Sequence, residues 1–463
     1  MPEIKHLVVL MLENRSFDHM VGWLQSPQYR VDGLDGTQFN RDSTGEPVKV
    51  TDDANYSGDY DPDVAHDFDN VTEQIFGTKS PAPGAPAPMS GFVTSYGQVS
   101  GNVPKSHRVM KCFNPKKLPV LSTLAQQYAL CTRWFSSVPG PTLPNRAYAH
   151  AATSVGHVDM TINWWKESKT IYELLADNNN TAKIYYTDST MALTFGGMLA
   201  AQDRYFVPDF NEFFHDCDHN NLPDYSFLEP RYNASDGNRP IAASDQHPDH
   251  DVSEGETLIL QVYNHIRSNA DTWNSTLLVI VYDEHGGLFD HIAPPSINVP
   301  NPDGHNSSNP FFAFDRLGVR VPAVLVSPYI EAGTIITDVF DHSSLIATAR
   351  KVFLGSGWEN KFLTKRDQAA NTFEAALTRA TPRSAKEVDP TKFHQLQLAA
   401  HAVSLEDRAR QQAATPLSEH QQALTAVMAS AAASHMTQGQ ASDLHEQVFK
   451  AAVHGPAAAG AAS

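Results

Sequence analysis

Two short polar pairs stand at the ends of apolar runs. Glu13-Asn14 follows Leu-Val-Val-Leu-Met-Leu, and Asp283-Glu284 follows Leu-Leu-Val-Ile-Val-Tyr. A carboxylate at the tip of a buried strand is costly unless something pairs with it. A divalent cation is the simplest partner. Glu13, Asn14, Asp283 and Glu284 form an all-oxygen donor set, which favours Ca²⁺ or Mg²⁺ over a thiolate zinc centre and leaves zinc open. Neighbouring strand residues point to opposite faces, so Asp283 and Glu284 converge only if the chain turns there. Gly286-Gly287 permits that turn. Taken one at a time, the pairs have plainer readings: Asn14 as the cap of a following helix, and Asp283-Glu284 as a solvated turn.

Between the pairs lies Gly140-Pro141-Thr142-Leu143-Pro144-Asn145-Arg146. Its prolines and glycine hold Thr142 just before an expected helix over 144–153. Proline suits a first helical turn, and a helix N-terminus offers N–H groups to an anion. Thr142 would then sit where a phosphate binds. A threonine hydroxyl is a weak nucleophile unless a metal or base activates it. Alone, the segment reads as an ordinary proline-rich turn.

The surrounding elements predict an α/β fold. Residues 4–12, 182–186, 275–282 and 321–327 read as strands, and 14–24, 170–176 and 256–268 as helices. That alternation argues for a mostly parallel central sheet with helices on both faces. In such sheets ligands bind beyond the carboxyl ends of the strands. Residues 78–91 are proline-rich and read as irregular.

Composition narrows the function classes. The 463 residues carry 34 Lys and Arg against 52 Asp and Glu, a net charge of −18. Duplex nucleic-acid binders and polybasic lipid anchors show the opposite sign. Cys112, Cys131 and Cys217 are too few and odd for a disulfide framework, which fits a reducing compartment. No run approaches the length of a membrane span. No secretory signal precedes Glu13, so the chain is expected to be cytoplasmic, or exported without a recognisable N-terminal signal.

The last 98 residues differ from the rest. They hold only three aromatics, Phe373, Phe393 and Phe449, with eight basic and nine acidic residues, so residues 1–365 carry essentially all the net charge. We divide the chain into a catalytic body, 1–365, and an Ala/Gln-rich helical extension, 366–463. Helices are expected at 367–380, 394–413, 417–434 and 440–451. The extension reads as a cap or as helices through which copies associate.

Longer motifs tie these pieces together: Glu13-Asn14-Arg15-Ser16-Phe17-Asp18-His19, GPTLPNR at 140–146, SDQHPDHD at 244–251 and YDEHGGLFDHIAPP at 282–295. VPA at 321–323, SPYI at 327–330 and FDHSS at 340–344 follow in order. Over residues 4–355 the chain resembles the phosphoesterase family of bacterial phospholipases C, plant non-specific phospholipases C and acid phosphatases. The resemblance implies an alkaline phosphatase-like fold, with Glu13, Asn14, Asp283 and Glu284 holding one divalent metal. It implies that Thr142 touches that metal and is the phosphorylated nucleophile. It matches the family's phosphate-contacting histidines to His66, in DVAHDF, and His247, in SDQHP. One acid phosphatase branch adds a histidine pair where this chain has Tyr185-Tyr186 and Asp188. His285 and His291 are read as structural.

The activity so implied is a metal-dependent phospholipase C acting on phosphatidylcholine-type lipid through a phosphothreonine. An acid phosphatase acting on soluble phosphomonoesters is the nearest alternative, and an idle phosphate- or lipid-binding protein is a third. The expected partners are a phospholipid or a phosphorylated small molecule, with room for transient contact with a membrane surface.

Overall fold

The computed structural model describes residues 2–388, except 58–59, 162–167, 234, 237–238, 297 and 311, together with 417–418 and 421–423. An eight-stranded sheet forms the centre. Its strands in chain order are β1 (His6–Leu12), β2 (Ala129–Cys131), β3 (Ala182–Tyr185), β4 (Phe206–Val207), β5 (Tyr225–Leu228), β6 (Thr276–Tyr282), β7 (Ala323–Val326) and β8 (Thr334–Ile336). Across the sheet the order is β8-β2-β7-β6-β1-β5-β3-β4. Only β7 runs against its neighbours, β6 and β2. The expected mostly parallel sheet is therefore present, with one reversed strand.

β1 and β6 lie side by side at the middle. Every residue of β6, and every residue of β1 after His6, is buried. Strands covered on both faces read as continuous apolar runs, which is how these two were recognised. They pair in parallel from His6 opposite Thr276 to Leu12 opposite Tyr282. Their carboxyl ends are level, so Glu13 and Asp283 emerge together. The backbone N–H of Asp283 donates to the Leu12 carbonyl at 3.1 Å.

Several expected boundaries shift. The helix expected over 14–24 is α1 (Phe17–Val21) with a short 3-10 turn, Gly22–Leu24. Ser16 caps it by accepting from the His19 N–H, so Asn14 is not the cap. Asn14 instead adopts a left-handed φ of 58°. The helix expected from Pro144 begins two residues earlier: α2 spans Thr142–Ala151, with Thr142 as its first residue. The helix expected from Glu256 spans Val252–Ser268, because the Asp251 carboxylate caps it at the Ser253 N–H. Residues 78–91 contain no helix or strand.

Beyond the body, Lys365–Ala369 is helical and Glu374–Ala376 forms a 3-10 turn. Arg366 is buried and pairs with Asp341 at 3.1 Å. The helices expected at 394–413 and 440–451, and most of 417–434, lie outside the described residues. No described helix is long and apolar enough to cross a membrane. All three cysteines are free and buried.

Candidate active site

The β1 and β6 ends bring the two polar pairs into one buried cluster. Glu13, Asn14, Asp283 and Glu284 are at most 1% exposed. The left-handed turn at Asn14 aims its N–H at Asp283 Oδ1, 2.9 Å away. The same oxygen accepts from the Glu284 N–H at 2.7 Å. The Gly286 N–H then donates to Glu284 Oε2 at 2.7 Å, folding that carboxylate back over the turn. Gly286 has a φ of 63°, and a methyl group on it would lie 2.1 Å from the Asn14 carbonyl oxygen. Only glycine meets both demands.

Thr142 reaches this cluster from α2. Its hydroxyl donates to Asn14 Oδ1 at 3.1 Å. The loop before it is tied by Asn145, whose Oδ1 accepts from the Val138 N–H at 3.0 Å. Its Nδ2 donates to the carbonyls of Gly140 and Pro141 at 2.9 and 3.0 Å. One helical turn beyond Thr142, Arg146 points the same way. Its Nε donates to Asp283 Oδ2 at 2.9 Å and its Nη1 to Glu229 Oε2 at 2.7 Å. Its Nη2 lies 3.7 Å from Glu13 Oε1. Arg146 is fully buried, with the Tyr232 ring 5.3 Å from its guanidinium carbon. Sequence reasoning missed Arg146 and Glu229. The available signal was the four-residue spacing from Thr142, which puts both side chains on one helix face.

Two histidines complete the group. His66 Nδ1 donates to the Val64 carbonyl at 2.7 Å, so Nε2 turns inward, 3.4 Å from Asn14 Nδ2 and 3.9 Å from Glu284 Oε1. His247 stands 6.4 Å from His66, ring centre to ring centre. Its Nδ1 meets Asp249 at 2.5 Å and its Nε2 meets Asp63 at 3.5 Å. Arg15 holds the backbone here, donating to the carbonyls of Gln246 and His247 at 2.6 and 3.0 Å. The seven residues singled out from sequence thus lie in one region. Asn14, His66, Thr142, Asp283 and Glu284 are joined by direct contacts, Glu13 meets them through Arg146, and His247 flanks them.

The electrostatics follow from burial. Removal from water pushes Glu13 up to about 8, although Arg146 pulls it down. Asp283 is pushed up to about 7 by the same opposition. Burial also raises Glu284, but His66 and His285 outweigh it and hold that carboxyl below its usual range. His247 is disfavoured as a cation by burial, yet Asp249 and Asp63 raise it well above an ordinary histidine. Burial is thus the leading cause of the raised Glu13 and Asp283 values, and Arg146 offsets only part of it.

The donor set fits a hard cation. Glu284 Oε1 is buried and accepts no hydrogen bond. Glu13, Asn14, Thr142, Asp283 and Glu284 offer oxygen donors, which suit a hard cation, and the Met160 sulfur accepts from the Leu143 N–H, next to Thr142, at 3.4 Å. Among the described residues, the carboxylate and histidine group whose ligand atoms all come within reach of one ion is Asp18, Asp290 and His291. There, however, Arg320 already pairs with Asp18 at 2.9 Å and Asp290 at 3.1 Å, so the group is charge-balanced as it stands. His291 donates into it through Asp18 at 2.6 Å, and His285 pairs with Gln74 at 2.7 Å. His285 also lies 3.4 Å from Glu284 Oε2. Asp188 accepts from the N–H groups of Tyr232 and Asn233 at 2.9 and 2.7 Å, so it orders the loop carrying Tyr232. Tyr185 donates to Asp216 at 2.7 Å, on the sheet.

Comparison with known proteins identifies the family of the chain. The model of the Phosphoesterase family matches residues 4–354. Non-specific phospholipase C6 of Arabidopsis thaliana is 39% identical over 397 residues, covering 82% of this chain and 74% of its own. Phospholipase C B of Mycobacterium tuberculosis is 27% identical over 395 residues, covering 76% and 73%. A solved structure of a protein in the alkaline phosphatase superfamily from Vibrio parahaemolyticus overlaps 76% of this chain and 67% of its own, with a TM-score of 0.36 and 9% identity. The chain belongs to the Phosphoesterase family and is a phosphoric ester hydrolase.

Proposed function

We propose that this protein is a metal-dependent phospholipase C that cleaves phosphatidylcholine-type lipid through a phosphothreonine at Thr142. The observation that carries the reading is the Thr142 hydroxyl at the N-terminus of α2, 3.1 Å from Asn14 amid buried carboxylates. Identity of 39% to a plant non-specific phospholipase C supports the lipid substrate. A divalent cation bound by Glu13, Asn14, Thr142, Asp283 and Glu284 would lower the pKa of the Thr142 hydroxyl and stabilise phosphoryl charge. Calcium or magnesium suits those oxygens.

Thr142 Oγ1 forms a bond to phosphorus as the bond to the diacylglycerol oxygen breaks. His66 and His247 contact the phosphoryl oxygens, and one of them returns a proton to the leaving alcohol. Water then attacks the phosphorus, releasing the phosphorylated headgroup and restoring the threonine. Arg146 keeps Glu13 and Asp283 in place throughout.

Phosphatidylcholine vesicles and p-nitrophenyl phosphate, offered separately to the parent protein and to Thr142→Ala, test this reading. Diacylglycerol and phosphocholine should form with the parent and not with the variant. Turnover of the monoester alone would replace the lipase with a phosphatase. Lipid cleavage by Thr142→Ala would remove the nucleophile.

A further inference from the structure

Asp63 has no role in the chemistry so far, yet it faces the site. Asp249 occupies His247 Nδ1 at 2.5 Å, which leaves Nε2 as the one ring nitrogen able to meet a phosphoryl oxygen. Asp63 Oδ2 lies 3.5 Å from that nitrogen, and the Asp63 side chain is 32% exposed, whereas His247 is 1% exposed. The carboxylate is therefore at the rim, between the imidazole and solvent. It is also oriented: Oδ1 accepts from the Val64 N–H at 2.8 Å. Asp63 belongs to the short loop that carries His66, whose Nδ1 is fixed on the Val64 carbonyl at 2.7 Å. One loop thus supplies both a phosphate-facing imidazole and an anion beside the second imidazole.

Charge arithmetic gives this placement a consequence. A phosphodiester carries one negative charge, whereas a phosphomonoester near neutral pH carries closer to two. His66, His247, Asp249 and Asp63 face this spot, with His250 behind His247 at 5.7 Å, Glu284 3.9 Å from His66 and the Glu13 carboxylate also acting on His247. Two carboxylates, Asp249 and Asp63, already flank the His247 ring, the first of them shared with His250 at 3.5 Å. A second charge on the substrate would meet the Asp63 carboxylate instead of an uncompensated cation. Like charges placed together discriminate between ligands by repelling one of them.

We propose that Asp63 selects singly charged phosphodiesters over doubly charged phosphomonoesters by holding its carboxylate against Nε2 of His247. The inference rests on the phosphoesterase reading of the Thr142 site and assigns that site a charge filter. It places the source of diester preference in a side chain rather than in the metal cluster.

The test compares kcat/KM for bis(p-nitrophenyl) phosphate and p-nitrophenyl phosphate in the parent, Asp63→Asn, Asp63→Ser and Thr142→Ala. Calorimetric titration of each with inorganic phosphate accompanies it. Removing the charge should raise the monoester-to-diester ratio about tenfold and tighten phosphate binding by a similar factor. The serine variant, smaller and also neutral, should give the same ratio as the asparagine variant. A ratio within twofold of the parent in whichever neutral variant folds would overturn the proposal, as would an equal fall for both esters. Thr142→Ala separates the two levels. If it is inactive while the ratio stays fixed, the filter alone fails; if it remains active, the reading of the site fails.

Discussion

Thr142 donates its hydroxyl hydrogen to Oδ1 of Asn14 at 3.1 Å, joining residues 128 positions apart. The bond fixes the first residue of α2 against the turn that leaves β1. That turn in turn holds Asp283 through the Asn14 N–H. Thr142 and the oxygen cluster are therefore one unit, and changes to its supports have predictable effects.

Arg146 is the main support. Arg146→Met leaves Glu13, Asp283 and Glu229 without their shared cation, and breaking a buried pair costs about 3–5 kcal/mol. Denaturant unfolding should show that loss, and Arg146→Lys should recover only part of it because one ammonium cannot reproduce the fork. A methionine variant as stable as the parent would contradict the assignment.

Gly286 is the second support. Alanine there would meet the Asn14 carbonyl at 2.1 Å as well as the left-handed φ of 63°. Gly304 also has a left-handed φ, 83°, but open space around it. Gly304→Ala should cost only the conformational strain, about 1 kcal/mol. Gly286→Ala should cost more and lower kcat by at least about tenfold, because a misplacement of about 1 Å near the chemistry is already felt. Thermal melts and initial rates on the two variants check this, and equal effects would exclude the collision.

The same chain of contacts explains what could be read in advance. Glu13 and Asp283 were legible because a polar residue ending an apolar strand is conspicuous in any sequence. Arg146 was legible only through its four-residue spacing from Thr142, since its partners Glu229 and Asp283 lie 83 and 137 positions away and nothing local points to them. The level ends of β1 and β6 depend on strand register, which an unbroken apolar run leaves undetermined. The direction of β7 was equally hidden, because Ala-Val-Leu-Val has the same pattern read either way. The cap at Ser16 was missed because Asn14 is itself a good capping residue, and its left-handed turn is set by Asp283 rather than by its neighbours.

Away from the site, His291 makes stability depend on pH. Burial disfavours its charged form, but Asp18 outweighs that and raises it to about 9. A raised histidine stabilises the fold fully below its unfolded value of about 6.5, and the contribution is lost as pH rises through about 9. His291→Asn should remove roughly 2–3 kcal/mol at about pH 6 and little at about pH 10. Urea unfolding at both values measures it; parallel losses at the two would rule out the linkage.

Chelation addresses the cation. Dialysis against EDTA should abolish turnover and lower the melting temperature, and calcium or magnesium should restore both. A ligand at a hundred times its Kd stabilises by about 2.7 kcal/mol. Full activity in protein shown by elemental analysis to hold no metal would be incompatible with the proposed cluster.

Acid quenching during turnover tests the nucleophile most directly. Protein mixed with phosphatidylcholine vesicles, stopped in acid within the first turnovers and digested, should yield a peptide containing Thr142 that carries the substrate's phosphoryl group. The peptide from Thr142→Ala should carry none. A quenched, fully active enzyme whose Thr142 peptide is never modified, under conditions where the first step outruns the second, would contradict the account.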